Sequence, residues 1–129
     1  MNASQRSSST PSDKNIDIEK LDERALCKLF DHTLLKPYAT RKDFEKLCAQ
    51  AREHGFMMVA INSGPVALCK KLLEGSNVHV GAAISFPLGA MSIASKCNET
   101  LNAINDGAER IGTSSSLQIL EGFQNERRG

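Results

Sequence analysis

The sequence has no tryptophan and one tyrosine, and its basic and acidic side chains nearly balance, at 16 and 15. A balanced charge gives no electrostatic signature of binding to nucleic acid or to an anionic membrane surface, and the scarcity of aromatic rings argues against base stacking. No apolar run approaches the roughly 20 residues of a membrane-spanning helix. We therefore expect neither a nucleic-acid partner nor a membrane partner.

Closely spaced cysteines are also missing. None of the four lies within four residues of another, and no two histidines have the spacing of metal ligands, so we predict no metal site. We interpret the cysteines as small buried apolar side chains in a reducing compartment. The serine-rich N-terminus has no apolar core of a signal peptide, so the sequence predicts a cytoplasmic protein. The four cysteines are Cys27, Cys48, Cys69 and Cys97.

What the chain does contain is a regular alternation of amphipathic segments and continuous apolar runs. In one amphipathic segment, Phe44, Leu47 and Cys48 recur at the spacing of one helical face, with Thr40 as N-cap and Gly55 as the left-handed stop. The apolar runs have the length of buried strands. The predicted helices cover about residues 18–28, 41–54, 65–74 and 92–106, and the predicted strands about residues 29–33, 56–61, 78–85 and 108–114.

Two details of the helices are further expectations. Asp17 is the predicted N-cap of the first helix, whose apolar stripe contains Leu21, Ala25 and Leu29. The last helix is predicted to turn one apolar stripe inward, and that stripe consists of Ile93, Cys97, Leu101 and Ile104.

Apolar strands separated by amphipathic helices indicate parallel βαβ units and therefore an α/β fold. Both a doubly wound sheet and a (β/α)₈ barrel fit this pattern. Residues 31–40 contain no glycine, which argues against a dinucleotide-binding turn. In either architecture function lies at the carboxyl ends of the strands, where we expect Asp31, Thr33, Asn62 and Ser85.

Several blocks of residues together resemble one enzyme family. They are Phe30-Asp31-His32-Thr33-Leu34-Leu35-Lys36-Pro37, Val59-Ala60-Ile61-Asn62, Val80-Gly81-Ala82-Ala83-Ile84-Ser85-Phe86-Pro87-Leu88-Gly89, Lys96, Glu99-Thr100 and Gly107-Ala108. In order and spacing these blocks are similar to the N-terminal half of deoxyribose-phosphate aldolase. The resemblance covers about residues 26–111.

The resemblance implies a partial (β/α)₈ barrel of about four βα units that does not close within this chain. It also implies a class I aldolase of deoxyribonucleotide catabolism, acting without a cofactor on a small sugar phosphate. Members of that family reversibly cleave 2-deoxyribose 5-phosphate to glyceraldehyde 3-phosphate and acetaldehyde. A lysine on a late strand forms a Schiff base with the substrate carbonyl, and a second lysine helps to depress the pKa of the first.

Carried over to this sequence, the resemblance places Asp31 and Thr33 near the bottom of the active site and Asn62 at its edge. Asp31 is read as a buried acid that orients the proton relay, or alternatively as a structural carboxylate that holds backbone amides. Lys36 and Lys96 also match family positions, but a structural role is favoured for both. The family's catalytic aspartate corresponds to Gly112, and the Schiff-base lysines have no counterpart here.

These comparisons predict three segments: a disordered serine-rich tail (1–15), the half-barrel (16–111) and a divergent segment (112–129). Because the resemblance stops abruptly inside a strand, we hypothesise a frameshift or truncation after Ile111. The chain is then expected to be inactive alone. The alternative is a non-catalytic half-barrel that pairs with itself, as a homo-oligomer, or with another aldolase chain.

Overall fold

The computed structural model describes residues 17–114, so the predictions for residues 1–15 and 115–129 fall outside the described part of the chain. Helices and parallel strands alternate as predicted after a short 3₁₀ turn at Ile18–Lys20. The helices are α1 (Glu23–Cys27), α2 (Arg41–His54), α3 (Val66–Leu72) and α4 (Ile93–Asn105). The strands are β1 (Asp31–Leu34), β2 (Met58–Asn62), β3 (His79–Ile84) and β4 (Arg110–Thr113).

The four strands form one parallel sheet in the order β1-β2-β3-β4, which confirms the α/β prediction. Neighbouring strands are consecutive in sequence and joined by helices, as in a (β/α) barrel rather than a doubly wound sheet. Within residues 17–114, β1 and β4 are the two edges and the barrel is not closed. No helix in this range is long and apolar enough to cross a membrane.

The hydrophobic core lies between one face of the sheet and the helices α2 and α3. Alternate residues of the strands point into it, because successive side chains of a strand face opposite sides. On α2 the predicted stripe is buried as expected. The buried apolar residues are Phe44, Leu47, Cys48, Ala51, Val59, Ile61, Val66, Cys69, Leu73, Val78, Val80, Ala82, Ile84 and Ala103.

The ends of α2 confirm the capping predictions. The Asp43 carboxylate accepts hydrogen bonds from the backbone N–H and the Oγ1 hydroxyl of Thr40, both at 2.7 Å. The backbone bond to Thr40 is the main reason that the pKa of Asp43 lies below its ordinary value. Gly55 ends the helix with a φ of 70°, in the left-handed region that favours glycine.

The prediction of one continuous first helix was wrong. The segment is divided, and α1 is capped by Asp22 rather than Asp17: the Asp22 Oδ1 atom accepts a 2.7 Å bond from Ala25 N. A side chain that satisfies an otherwise unpaired N–H begins a new helix at that point. No residue of α1 is buried, and Leu29 is half exposed.

The prediction for α4 was also wrong, because the apolar stripe of this helix is exposed. Ile93 is 72% exposed and Leu101 59%, whereas the one buried residue of α4 is Ala103. The orientation of α4 follows from Glu99, four residues before Ala103 and on the same face, which hydrogen-bonds to the end of β3. Cys97 is consequently exposed and Cys27 is half-buried, so only Cys48 and Cys69 are buried as predicted.

Candidate active site at the carboxyl edge of the sheet

The sheet face opposite the helices carries three levels of side chains, because residues paired in a parallel ladder share a face. The lowest level contains Asp31, Met58 and His79, and the highest contains Asn62, Ala83 and Gly112. The middle level contains Thr33, Ala60, Gly81 and Arg110. In a closed (β/α)₈ barrel this face lines the interior, and we call it the inner face.

Asp31 lies on the inner face but not at the end of a strand. It is the first residue of β1 and it is exposed, so the prediction of a buried carboxylate at the carboxyl end was wrong. β1 begins later than predicted because Leu29 N and Phe30 N donate to Leu26 O and Cys27 O, in turns that follow α1. Thr33 is exposed on the same face, and its Oγ1 donates to Asp31 O at 3.1 Å.

Asn62 occupies the position that the sequence predicted, as the last residue of β2. Its Nδ2 donates to the carbonyl of Leu35 at 3.3 Å, so it connects the end of β2 to the loop after β1. The side chain is half-buried. The amide thereby holds two neighbouring strand ends together at the carboxyl edge.

The residue that sequence reasoning missed at this edge is Glu99 of α4. Its Oε1 accepts a 2.7 Å bond from Ser63 Oγ and its Oε2 accepts a 2.9 Å bond from Ser85 N. Ser63 directly follows β2 and Ser85 directly follows β3, so one carboxylate joins two loops of the edge. The signal available in the sequence was the resemblance, in which Glu99-Thr100 is one of the matching blocks without an assigned role.

The loop after β3 has an unusual conformation. Ser85 is buried with a φ of 56°, a left-handed conformation that is uncommon for a residue other than glycine. Its Oγ has no hydrogen-bond partner among the described residues. Beyond it lies an open cleft of about 460 Å³, lined in part by Phe86, Leu88, Met91 and Glu99.

Neither lysine that matches the resemblance has the surroundings of a Schiff-base nucleophile, which requires removal from water. Lys36 is exposed, with its Nζ 6.0 Å from the centroid of the Tyr38 ring. Lys96 is half-buried, and its Nζ donates to the carbonyl of Ser114 at 3.2 Å. His32 points to the helix side, where it stacks on Phe56 with ring centroids 4.8 Å apart.

Gly112 leaves open space on the inner face of β4. A Cβ atom at this position would meet no other heavy atom within 4 Å, so alanine fits without displacing its neighbours. Within residues 17–114, no group of three or more histidine, cysteine or acidic side chains is placed to hold a metal ion. The polar side chains that meet at this edge are those of Asn62, Ser63 and Glu99, which carry amide, hydroxyl and carboxylate groups.

Four parallel strands that alternate with helices, with polar side chains at the carboxyl edge, place this chain in the (β/α)-barrel class. A scan against family models found no match. The chain is 48% identical over 115 residues to the deoxyribose-phosphate aldolase of Bacteroides thetaiotaomicron, covering 88% of this chain and 48% of that protein. It is 49% identical over 86 residues to that of Bdellovibrio bacteriovorus, covering 67% and 39%. The chain is thus a homologue of the deoxyribose-phosphate aldolases over part of their length.

Solved structures agree with this relationship. The deoxyribose phosphate aldolase of Aeropyrum pernix, described as having a unique tetrameric structure, matches with a TM-score of 0.72 and 26% identity, over 76% of this chain and 42% of that one. The aldolase QR15 matches with a TM-score of 0.67 and 28% identity, over 83% and 45%. The chain spans about half the length of the relatives it matches.

Proposed function

We propose that this chain supplies the N-terminal half of a deoxyribose-phosphate aldolase barrel. The observation that carries the proposal is the placement of Asp31, Thr33 and Asn62 on the inner face of consecutive strands of one parallel sheet. In the complete barrel these residues border the site where 2-deoxyribose 5-phosphate is reversibly cleaved. Asp31 and Thr33 orient the proton relay, and Asn62 fixes the edge of the site.

The 129-residue chain does not itself perform the covalent step. A Schiff base forms when a neutral lysine amine adds to the substrate carbonyl and water leaves, which requires a lysine with a depressed pKa. No lysine follows Lys96 in the sequence, whereas the family's nucleophile lies on a late strand. Lys36 is exposed, so the half-barrel provides supporting groups and not the nucleophile.

A chimera tests this function. Residues 1–111 are joined to the Bacteroides thetaiotaomicron aldolase from its corresponding fourth strand onward, which restores an aspartate in place of Gly112 and the late-strand lysines. We expect cleavage of 2-deoxyribose 5-phosphate by the chimera, and a clear loss of kcat in its Asp31→Asn variant. A folded chimera without activity would refute the proposal.

Borohydride trapping tests whether the 129-residue chain is inactive. The 129-residue protein is incubated with acetaldehyde and borohydride, and its intact mass is measured beside the chimera. A reduced ethyl adduct is expected only on the chimera, because only its nucleophile is desolvated. A single-site adduct on the 129-residue chain, lost in Lys36→Arg or Lys96→Arg, would contradict the assignment.

We also propose that the aldolase sequence pattern is lost within β4, just after Ile111. The supporting observation is the composition of residues 112–116, which are glycine, threonine and three serines and lack the apolar residues of a buried strand. Translating the nucleotide sequence beyond the Ile111 codon in the two other frames tests a frameshift. The absence of an aldolase-like fourth strand in both frames would refute it.

The open edges of the sheet favour a second candidate function, a non-catalytic half-barrel that pairs with another chain. β1 and β4 both present an unpaired edge within residues 17–114. Unpaired strand edges are templates for pairing with another chain. The first function predicts that the chimera is active, whereas the second predicts association of the 129-residue chain whatever the chimera does.

A further inference from the structure

The two open edges of the sheet carry opposite charges on the same face. Asp31 lies on β1, and Arg110 lies on β4; both are exposed on the inner face. Neither side chain forms a salt bridge within residues 17–114. An acidic edge and a basic edge on one molecule are complementary to each other in a second molecule.

We propose that a second copy of this chain pairs along both edges, with β4 of each copy beside β1 of the other. The two half-sheets then close one eight-stranded parallel barrel around a twofold axis. Each contact is made twice, as twofold symmetry requires. Closure gives the outer backbone groups of both edge strands hydrogen-bond partners and removes the inner face from bulk water.

The register of the sheet brings the opposite charges close together. A line of paired residues runs Thr33-Ala60-Gly81-Arg110, so it meets β1 at its third residue and β4 at its first. A (β/α)₈ barrel slips by about eight residues per circuit, hence about four per half circuit. We continue the line of paired residues from Arg110 to β1 of the second copy, with the same slip toward the start of the strand. Asp31 of the second copy then lies opposite Gly112, one level from Arg110.

Gly112 leaves room for this arrangement. Because no heavy atom lies within 4 Å of a Cβ at that position, the space beside Arg110 is free to receive a carboxylate from the neighbouring strand. Side chains diagonally placed across neighbouring strands lie within reach of a long guanidinium group. The missing side chain at Gly112 thereby favours the ion pair that we propose.

Exposed apolar residues directly precede β1, and others lie on β4 and on α4, the helix before it. Beside β1 lie Leu29 and Phe30, which are 50% and 56% exposed. On α4 lie Leu101 and Ile104 and on β4 lies Ile111, which are 59%, 50% and 37% exposed. Burying these side chains supplies the hydrophobic part of the association, and a net charge of +1 opposes it little.

Sedimentation equilibrium of the full 129-residue chain tests the pairing. The chain has a mass of 14.0 kDa, so we expect a species of twice that mass, 28.0 kDa, that dissociates on dilution. Asp31→Arg and Arg110→Asp should each raise the dissociation constant at least about tenfold, since each places like charges together in a desolvated interface. The double variant exchanges the two charges and should return to within about threefold of the original value.

Matched control variants distinguish the effect of the ion pair on association from the effect of net charge. Glu53→Arg and Lys42→Glu make the same changes in net charge at exposed positions on α2, and they should leave the dissociation constant unchanged. Far-UV circular dichroism establishes that each variant is folded. Where a reversal unfolds the chain, Asp31→Asn and Arg110→Gln replace it, with weaker association expected from both.

Four results would overturn the proposal. The first is a monomer at every concentration, and the second is a series of ever larger species, which indicates edges that pair without closing. The third is a dimer that resists both charge reversals, which assigns the contact to another surface such as the exposed stripe of α4. The fourth is a double variant that fails to recover. None of these outcomes bears on the activity of the chimera.

Discussion

Glu99 accepts a 2.9 Å hydrogen bond from the backbone N–H of Ser85, the buried residue that directly follows β3 in a left-handed conformation. The same carboxylate accepts from Ser63 Oγ at the end of β2. One side chain of α4 thus hydrogen-bonds to the two loops that follow β2 and β3 at the carboxyl edge. It also decides which face of α4 points to the sheet, and therefore which apolar residues of that helix stay exposed.

Replacing Glu99 should destabilise the fold measurably. Glu99→Ala leaves Ser85 N–H without its acceptor, which costs about 1–3 kcal/mol for a buried donor. Glu99→Gln retains one carbonyl oxygen and should cost less. Urea unfolding measures both, with Glu45→Ala as the control, because the exposed Arg41–Glu45 pair contributes about 0.5 kcal/mol or less. Equal losses of unfolding free energy in Glu99→Ala and Glu45→Ala would contradict the role of Glu99 in holding the two loops.

Glu109 should make stability fall at low pH. The Lys70 ammonium, followed by His79 and the backbone N–H of Val80, lowers the pKa of Glu109 from 4.5 to about 2. A carboxyl that binds its proton less tightly when folded stabilises the fold above pH 4.5, and this contribution is lost as the pH falls toward 2. Because the side chain is 37% exposed, solvent screening limits the effect to about 1 kcal/mol.

Comparison of the wild type with Glu109→Gln tests this assignment. Unfolding free energies are measured between pH 7 and pH 2 for both proteins. The difference between them should be largest at neutral pH and should shrink below pH 4.5. A difference that stays constant down to pH 2 would show that Glu109 does not supply the dependence.

Gly81→Ala should cost less stability when Met58 is shortened. A Cβ at Gly81 would lie 2.9 Å from Met58 Cε and 3.1 Å from its Sδ, which is closer than such atoms normally approach. Gly81→Ala should therefore cost about 1 kcal/mol through overpacking. In a Met58→Ala background the cost should be smaller. Thermal unfolding of the four proteins in this double-mutant cycle measures the coupling, and additive effects would contradict the contact.

The exposure of α4 predicts a contrast between two isoleucines. Ile61 is fully buried between the sheet and the helices, and Ile61→Ala should cost about 2–5 kcal/mol through lost burial and a cavity. Ile93 is 72% exposed, so Ile93→Ala should change the stability by about 0.5 kcal/mol or less. Urea unfolding of both variants at one protein concentration makes the comparison. Similar large losses would mean that the stripe on α4 is buried.

Much of the fold was predictable because it depends on neighbours along the chain. The spacing of Phe44, Leu47 and Cys48 defines a buried helical face, and Thr40, Asp43 and Gly55 mark the ends of that helix with local hydrogen bonds and a left-handed turn. The apolar runs that became β2 and β3 are continuous because parallel strands are covered on both faces in a complete barrel.

The candidate site was predicted only in part. Asn62 lies at the end of β2 as expected, but Asp31 begins β1 instead of ending it and is exposed rather than buried. The error came from the start of β1, which depends on turns after α1 that the apolar pattern does not reveal. Glu99 was missed because its partners, Ser63 and Ser85, are 36 and 14 residues away in sequence.

By itself, the sequence determined the alternation of helices and strands, the caps of α2 and the homology to the aldolases, because periodicity, capping and motif spacing are properties of nearby residues. Only the tertiary structure decided which face of α4 is buried, where β1 begins and that Asp31 and Arg110 lie on opposite edges of one face. Those features depend on hydrogen bonds and strand register between segments far apart in the chain. Their physical basis is long-range pairing, which local spacing does not specify.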